Sequence, residues 1–335
     1  MLLRNTLSAA QRAALIDAAG RRRLTLSFYK YHRLEDPAAF RDGLFLAWEK
    51  LDVLGRIYVA QEGINAQLSV PADRFEALKA HLDGYPFLRG IRLNLAVEQN
   101  DKSFLKLTIK VRARIVADGI EDPDFDPSRT GTHVGAEEFN ALMERPDTLL
   151  VDMRNHFESE IGHFRGALTP DVDTFRESLD RIEAELRPRK DGKTLLMYCT
   201  GGIRCEKASA WFRHKGFHAV YQLDGGIIEY LRQVRAGGLE SKFLGKNFVF
   251  DERMAERISD DVVSACHLCG APCDTHANCA NAACHMLLLQ CPACAARLDA
   301  CCSEACRTVK ALPAAEQKRL RKGTGAPKKY FKKPR

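Results

Sequence analysis

The chain has 335 residues, of which 45% are hydrophobic and 28% are charged, and its formal net charge is +7. This length suits two or three domains, and the composition is typical of a globular protein. No run approaches about 18 consecutive apolar residues, so we expect no membrane-spanning helix, no membrane partner and a cytoplasmic location.

The N-terminal arm, residues 1–23, is rich in Ala but contains Asp17 and lacks a continuous apolar segment. It therefore predicts a surface helix rather than a signal peptide. The next domain covers residues 24–114. Five of its segments have strand-like patterns: 24–31, 56–61, 64–70, 91–97 and 104–111, the last extending or pairing with the fourth. Helical spacing in residues 37–54 and 71–82 completes a β-α-β-β-α-β order, which predicts a ferredoxin-like α+β domain.

Basic residues cluster around the last predicted strand of this domain. They are Lys102, Lys106, Lys110, Arg112 and Arg114. Their even spacing places them on one face of an extended strand. Such a strip can contact RNA phosphates, and the alternative is an ordinary exposed sheet face. We favour the RNA interpretation and take Lys106 and Lys110 as candidate substrate-binding residues.

A second domain follows the linker of residues 115–131, which is rich in Pro, Gly and Asp. In residues 132–236, helical segments alternate with short apolar runs such as 149–152 and 194–198. This alternation predicts an α/β domain whose parallel sheet is covered by helices on both faces. Such sheets bind their ligands at the carboxyl ends of the strands.

The segment between the apolar run 194–198 and the next predicted helix is the strongest candidate site. It reads Cys199, Thr200, Gly201, Gly202, Ile203, Arg204 and Cys205. Its two glycines allow backbone N–H groups to point inward, and a helix N-terminus and Arg204 add positive charge. These features favour the thiolate of Cys199, which is the reactive form. We prefer a reactive thiol to the alternative of a buried structural cysteine.

Ten of the twelve cysteines lie between Cys266 and Cys306, in a predicted Cys-rich module of residues 262–310. Without a secretory signal, this clustering favours metal over disulfides. A cross-braced pairing predicts two structural zinc sites, the first with Cys266, Cys269, Cys291 and Cys294, and the second with Cys279, Cys284, Cys302 and Cys306. An iron–sulfur cluster stays open as an alternative. Substitute ligands also stay open: Cys273, Cys301, His267, His276 and His285.

The C-terminal tail of residues 311–335 is strongly basic. Residues 307–335 contain eleven Lys or Arg residues and one acid, so their charge is 11 − 1 = +10 and that of the remaining chain is 7 − 10 = −3. A tail of this kind suits a polyanion such as RNA. Its alternative is a solvated, disordered tail.

Three stretches of the second domain resemble the rhodanese domain. They are residues 152–167, the loop 199–204 and residues 223–227. Over a longer range, residues 55–65, 198–207 and 248–253 and the Cys-rich block are similar to the bacterial rhodanese-domain tRNA uridine hydroxylase family. This resemblance extends from about residue 24 to about residue 306. It implies that Cys199 is essential and that the substrate is the wobble uridine, position 34, in the anticodon loop of tRNA. The implied reaction uses molecular oxygen as co-substrate and gives 5-hydroxyuridine.

The loop chemistry suits this reaction. The Cys199 thiolate, or a persulfide on it, would add to uracil C6 and make C5 nucleophilic toward an oxygen species. Loop N–H groups and Arg204 would stabilise the developing charge, with Thr200, Gly201, Gly202 and Ile203 as the substrate-binding loop. Cys205 either forms a disulfide with Cys199 and supplies two electrons, or only packs at the helix start.

The sequence contains no flavin or nicotinamide motif, and it does not identify the electron donor. Two other functions are weighed against hydroxylation. The first is a sulfurtransferase that passes sulfur from a Cys199 persulfide to an acceptor. The second is an RNA-binding adaptor with an inactive rhodanese domain, which the intact Cys199 loop disfavours.

Overall fold

The structure is a computed structural model that describes residues 7–189, 191–321 and 329–331. The first helix, α1 (Ala9–Ala19), is capped by Ser8, whose side chain accepts a hydrogen bond from the Gln11 backbone while the Gln11 side chain accepts one from the Ser8 backbone. Its residue Ile16 packs against Leu54 and Phe104 of the following domain. Within the described ranges, no helix is long and apolar enough to cross a bilayer.

The N-terminal domain is a sheet with two helices on one face. Its elements are β1 (Arg23–Tyr31), α2 (Pro37–Lys50), β2 (Leu54–Ala60), β3 (Gly63–Pro71), α3 (Phe75–Asp83), β4 (Asn94–Leu95) and β5 (Leu107–Val111), with 3-10 turns at Ala72–Arg74 and Pro86–Leu88. The strand order β4-β1-β3-β2 with antiparallel pairing confirms the ferredoxin-like prediction. β5 adds a fifth strand, parallel to β2.

The expectation that residues 104–111 extend or pair with residues 91–97 was wrong. β4 has only two residues and pairs with β1 at one edge of the sheet, whereas β5 lies at the opposite edge beside β2. A local pattern predicts that each segment is extended, but the pairing partner is set by long-range packing.

Alternation along the strands separates a covered face from an open face. On the covered face, Leu26, Phe28 and Ile57 pack with Trp48 of α2 and Leu78 of α3 in a closed apolar core. The open face carries polar and aromatic side chains in two rows of paired residues. The rows are Tyr29, Asn65, Tyr58 and Lys110, and Ser27, Gln67, Arg56 and Thr108.

The central domain has the predicted parallel sheet, in the order β6-β10-β9-β7. Its elements are β6 (Thr132–Val134), α4 (Ala136–Met143), β7 (Thr148–Asp152), α5 (His156–Ser159), β8 (Gly162–Phe164), α6 (Phe175–Leu186), a 3-10 turn (Arg187–Arg189), β9 (Thr194–Tyr198), α7 (Ile203–His214), β10 (Ala219–Leu223) and α8 (Gly226–Gly237). Every residue of β9 is buried. Leu195 and Met197 face α6 and α7, while Leu196 and Tyr198 face α4 and α8.

The C-terminal part consists of short elements. They are β11 (Phe243–Phe248), β12 (Ala255–Arg257), β13 (His276–Asn278), β14 (Leu287–Leu289), α9 (Pro292–Arg297), α10 (Glu304–Ala311) and α11 (Ala314–Arg321). β11 joins β8 of the central domain to β12, and β13 pairs with β14. Of the predicted basic tail, residues 322–328 and 332–335 lie outside the described residues. The segment 329–331 runs beside β14, and the Tyr330 ring stacks on Phe157 with centroids 4.4 Å apart.

A buried lysine ties the first two domains together. The Lys207 ammonium on α7 lies 2.7 Å from Glu62, in the β2–β3 turn, and 3.2 Å from Asp118 in the linker. The side chains of Lys207 and Asp118 are 2% and 0% exposed, so neither charge is solvated by bulk water. A buried charge of this kind is tolerated only while its partners are present.

We expect Lys207→Met to lower the free energy of unfolding by about 2–3 kcal/mol, because it leaves two carboxylates without their shared cation. Urea unfolding measures the change. The matched control is Lys79→Met, since Lys79 pairs with Glu76 at the surface, where an ion pair contributes less than about 1 kcal/mol. Equal losses in the two variants would contradict a role for burial.

Candidate active site

Cys199 lies at the carboxyl end of β9, immediately before α7. The helix begins at Ile203, so Arg204 and Cys205 belong to its first turn. The intervening Gly202 has φ +97°, and a side chain there would approach the Tyr29 hydroxyl to 2.8 Å. From the other side, the first turn of α8 donates a hydrogen bond from Ile227 N to the Cys199 carbonyl at 3.0 Å. The loop is therefore held between two domains with room for glycine alone at Gly202.

The Cys199 sulfur is buried within a ring of donors. Gly202 N donates a hydrogen bond to the sulfur at 3.2 Å. Burial would raise the pKa of this thiol, but a hydrogen bond from Cys205, the charge of Arg204 and the backbone N–H groups of Arg204 and Cys205 lower the pKa to about 6. Cys199 is accordingly a thiolate at neutral pH, which makes it a nucleophile.

Cys205 has the opposite protonation state. Its pKa lies well above the usual value, first because the thiol is buried and then because it donates to the Cys199 thiolate. Between these two cysteines, the proton therefore resides on Cys205. This arrangement gives the site one nucleophilic sulfur and one neutral thiol in hydrogen-bond contact.

Arg204 is fixed by a partner from outside the loop. Its guanidinium makes a bidentate pair with Glu158 of α5 at 2.6 and 2.9 Å, and a longer contact of 3.4 Å with the Thr200 hydroxyl. Burial would lower the pKa of Arg204, but the charge of Glu158 raises it above its usual value. Glu158 is itself held by a hydrogen bond from Asn155 N at 3.0 Å. Arg204 therefore stays charged and oriented although it is buried.

The open face of the N-terminal sheet forms the opposite wall of the site. A cavity of about 310 Å³ separates it from the Cys199 loop. The loop side consists of Cys199, Thr200, Gly201, Ile203 and Arg204, and the sheet side of Ser27, Phe28, Tyr29, Arg56, Tyr58, Asn65 and Gln67. Phe250, after β11, and Val116 in the linker complete the lining. The cavity is a composite of both domains.

None of the candidate basic residues belongs to the lining of this cavity. Lys106 lines a larger neighbouring groove of about 890 Å³, which shares Arg56 and Phe250 with the cavity. Lys110 pairs in register with Tyr58 on the same face, outside the cavity lining. Each of the other three predicted basic residues contacts a side chain of this chain: Lys102 pairs with Asp17, Arg112 lies over the Tyr58 ring, and Arg114 contacts Asp118.

Sequence reasoning missed the sheet-side residues and Glu158. The strand pattern of β1 and β3 was visible, but no role was assigned to their polar positions. The excess of Tyr, Asn, Gln and Arg at those positions is the signal that could have identified a ligand-facing wall.

The structure brings the eight candidate metal ligands together in two groups. Cys266, Cys269, Cys291 and Cys294 form one, and Cys279, Cys284, Cys302 and Cys306 form the other, with the sulfurs of each group within 4.8 Å of one another. Both groups can hold a metal ion. The substitute cysteines have other contacts, since Cys273 and Cys301 point at the carbonyl oxygens of Thr275 and Asp299.

Comparisons with known proteins cover all three parts of the chain. Residues 23–115 match the family described as UPF0176 acylphosphatase like domain, residues 135–233 the rhodanese-like domain, and residues 244–307 the family described as Rhodanase C-terminal. A protein of Cronobacter sakazakii named tRNA uridine(34) hydroxylase is 53% identical over 100% of this chain and 96% of its own length. A protein of the same name from Pectobacterium carotovorum is 54% identical over 99% of this chain and 94% of its own.

The pKa of Cys199 can be measured by following its alkylation with iodoacetamide against pH, using mass spectrometry of the Cys199 peptide. The rate should rise with a midpoint near pH 6, because only the thiolate reacts and the pKa is about 6. Arg204→Met should move the midpoint upward, since a cation that favours the thiolate is lost. A midpoint near pH 8.5 in the unaltered protein would show that the thiolate is not stabilised.

Proposed function

The chain belongs to the tRNA uridine(34) hydroxylase family, and we propose that it converts uridine 34 of tRNA to 5-hydroxyuridine in an oxygen-dependent reaction in the cytoplasm. The observation that carries the proposal is the lowered pKa of Cys199 on the wall of a cavity between two domains. A thiolate in that place can attack a base that enters the cavity.

Cys199 is proposed as the nucleophile that adds to uracil C6. The addition places negative charge on C5 and O4, so that C5 reacts with the oxygen species. Arg204 and the helix N-terminus lie beside the sulfur and would stabilise that charge. Loss of the C5 proton and departure of Cys199 from C6 restore the aromatic base with its new hydroxyl group.

Cys205 is proposed as the source of the two electrons. Uridine, O₂, the Cys199 thiolate, the Cys205 thiol and one proton from solvent give 5-hydroxyuridine, water and one disulfide: one oxygen atom goes to C5, and the other leaves as water with the Cys205 hydrogen and the solvent proton. Cys205 lies in the first turn of α7, and its thiol affects the pKa of Cys199, which supports a pairing of the two sulfurs. A cellular reductant must then reduce this disulfide before the next turnover.

We propose that tRNA contacts the residues around the Cys199 cavity and the open face of the N-terminal sheet. The loop residues Thr200, Gly201 and Ile203 line the cavity, and Gly202 orients the sulfur through its N–H. Lys110 lies on β5, at the edge of the open face, and Lys106 directly precedes this strand; both side chains are exposed. Their charges suit the phosphates of an anticodon loop whose base 34 is turned into the cavity.

The two cysteine groups are proposed as zinc sites. The four cysteines of each group would hold the ion as thiolates and would leave no position for water, which is typical of structural zinc. Each site joins distant segments, the first residues 266–269 with 291–294 and the second 279–284 with 302–306. Zinc would thus hold together a module whose own apolar core is small.

The decisive experiment complements cells that lack this protein with the unaltered chain, Cys199→Ala or Cys205→Ser, and measures wobble nucleosides by mass spectrometry. We expect nucleosides derived from 5-hydroxyuridine to disappear without the protein and to return only with the unaltered chain. Cys205→Ser should reduce them strongly, because one electron source is lost.

Cys273→Ser serves as the matched control, since Cys273 lies outside the loop and outside both cysteine groups. Restoration of 5-hydroxyuridine by Cys199→Ala would refute the role of Cys199 as the nucleophile. Full restoration by Cys205→Ser would refute only the role of Cys205 as the electron source. If 5-hydroxyuridine persists while a thiolated nucleoside changes, the protein is a sulfurtransferase.

Metal analysis of the purified protein should give about two zinc ions per chain, and Cys266→Ser or Cys284→Ser should each lower this to about one, because the groups share no ligand. Inductively coupled plasma mass spectrometry measures the content. Iron together with visible absorbance would instead identify an iron–sulfur cluster.

A further inference from the structure

One side chain that lines the cavity is held so that its hydrogen-bond donor and its acceptor have known positions. Asn65, on β3, donates a hydrogen bond from Nδ2 to the carbonyl oxygen of Ile115 at 3.2 Å. A carbonyl oxygen only accepts, so the amide cannot turn over without losing this bond. Its Oδ1 is therefore the free end, and none of the hydrogen bonds between the described residues reaches this oxygen. Asn65 offers the cavity an acceptor of known identity.

The groups around Asn65 suit a flat heterocycle. The residues paired with Asn65 on the neighbouring strands, Tyr29 and Tyr58, are aromatic, and Phe250 also lines the cavity. Gln67, one row away, has no side-chain hydrogen bond within the described part of the chain. Proteins that read single-stranded RNA stack the splayed base on aromatic rings and hydrogen-bond its Watson–Crick edge. The volume of about 310 Å³ is at the lower end for ligand pockets and suits one base.

Uracil and cytosine differ at the atom that such an acceptor detects. Uracil carries a hydrogen on N3 and can donate it, whereas N3 of cytosine is an acceptor with a lone pair. A fixed oxygen therefore pairs with uracil and faces a second acceptor in cytosine. A freely rotating amide could serve either base, so the bond from Asn65 to Ile115 is what makes the acceptor selective.

We propose that Asn65 reads the N3–H of the target uracil through Oδ1 and so selects uracil over cytosine at the base that Cys199 attacks. This inference rests on the proposed function for the identity of the base. It assigns the N-terminal domain the recognition of the base and the central domain the chemistry.

The test uses binding rather than turnover, in full-length protein with Cys199→Ser. Anticodon stem–loop RNAs carry uridine, cytidine or N3-methyluridine at position 34, and their dissociation constants are measured by fluorescence anisotropy. Uridine should bind about 10- to 100-fold more tightly than the other two bases, because each leaves Oδ1 without a donor. In the Asn65→Ala background, the preference should fall to about 3-fold or less.

Asn140→Ala is the matched control. Asn140 also holds a backbone carbonyl, that of Glu240, but lies outside the cavity, so the preference should persist. Equal binding of uridine and N3-methyluridine to the parent protein would overturn the proposal without any change at Asn65. Retention of the full preference in Asn65→Ala would overturn it as well.

The two experiments can refute the proposed base preference and the proposed reaction independently of each other. If the preference depends on Asn65 but no 5-hydroxyuridine forms in the complementation experiment, the reading of uracil stands and the proposed reaction falls. If 5-hydroxyuridine forms and the preference is absent, the reaction stands and the role of Asn65 is refuted.

Discussion

The negative charge on the buried Cys199 sulfur is the constraint from which the rest of the site follows. A thiolate out of water needs donors and a cation, which the N-terminus of α7 and Arg204 provide. Arg204 is then a buried cation and needs its own partner, Glu158. Glu158 in turn lies on α5, so a short helix far along the chain is required to keep one sulfur ionised. The loop residues 199–205 therefore do not form the site by themselves, because Arg204 also requires Glu158.

A second constraint on the site is that the Cys199 sulfur lies in an enclosed cavity rather than in solvent. The central domain places Cys199 at a strand end, where it would face solvent. The open face of the N-terminal sheet covers it instead, and the Lys207 ion cluster holds that cover in place. The covering face is polar and aromatic where the opposite face is apolar. The packing of the two domains therefore buries the thiolate and also forms the cavity wall that a base would contact.

Much of this arrangement could be predicted from local patterns. The apolar run of β9 and the glycines after it locate the Cys199 loop, because a buried strand and a tight turn are each specified within a few residues. Close pairs of cysteines indicate the two groups for the same reason. The partner of Arg204 could not be predicted, since Glu158 is 46 residues away. Nor could the pairing of β5 with β2, because alternation defines the faces of a strand but not its neighbour.

The Cys-rich module is connected to the site through α5. Tyr330, beside β14 of the module, stacks on Phe157, and Phe157 also packs edge-on against Phe248. Phe157 directly precedes Glu158 on a helix of four residues, too short to be stable on its own. The position of the Glu158 carboxylate therefore depends on aromatic packing supplied by the C-terminal part of the chain. Because that carboxylate holds Arg204, and Arg204 favours the Cys199 thiolate, the C-terminal part of the chain supports the thiolate without contacting the sulfur.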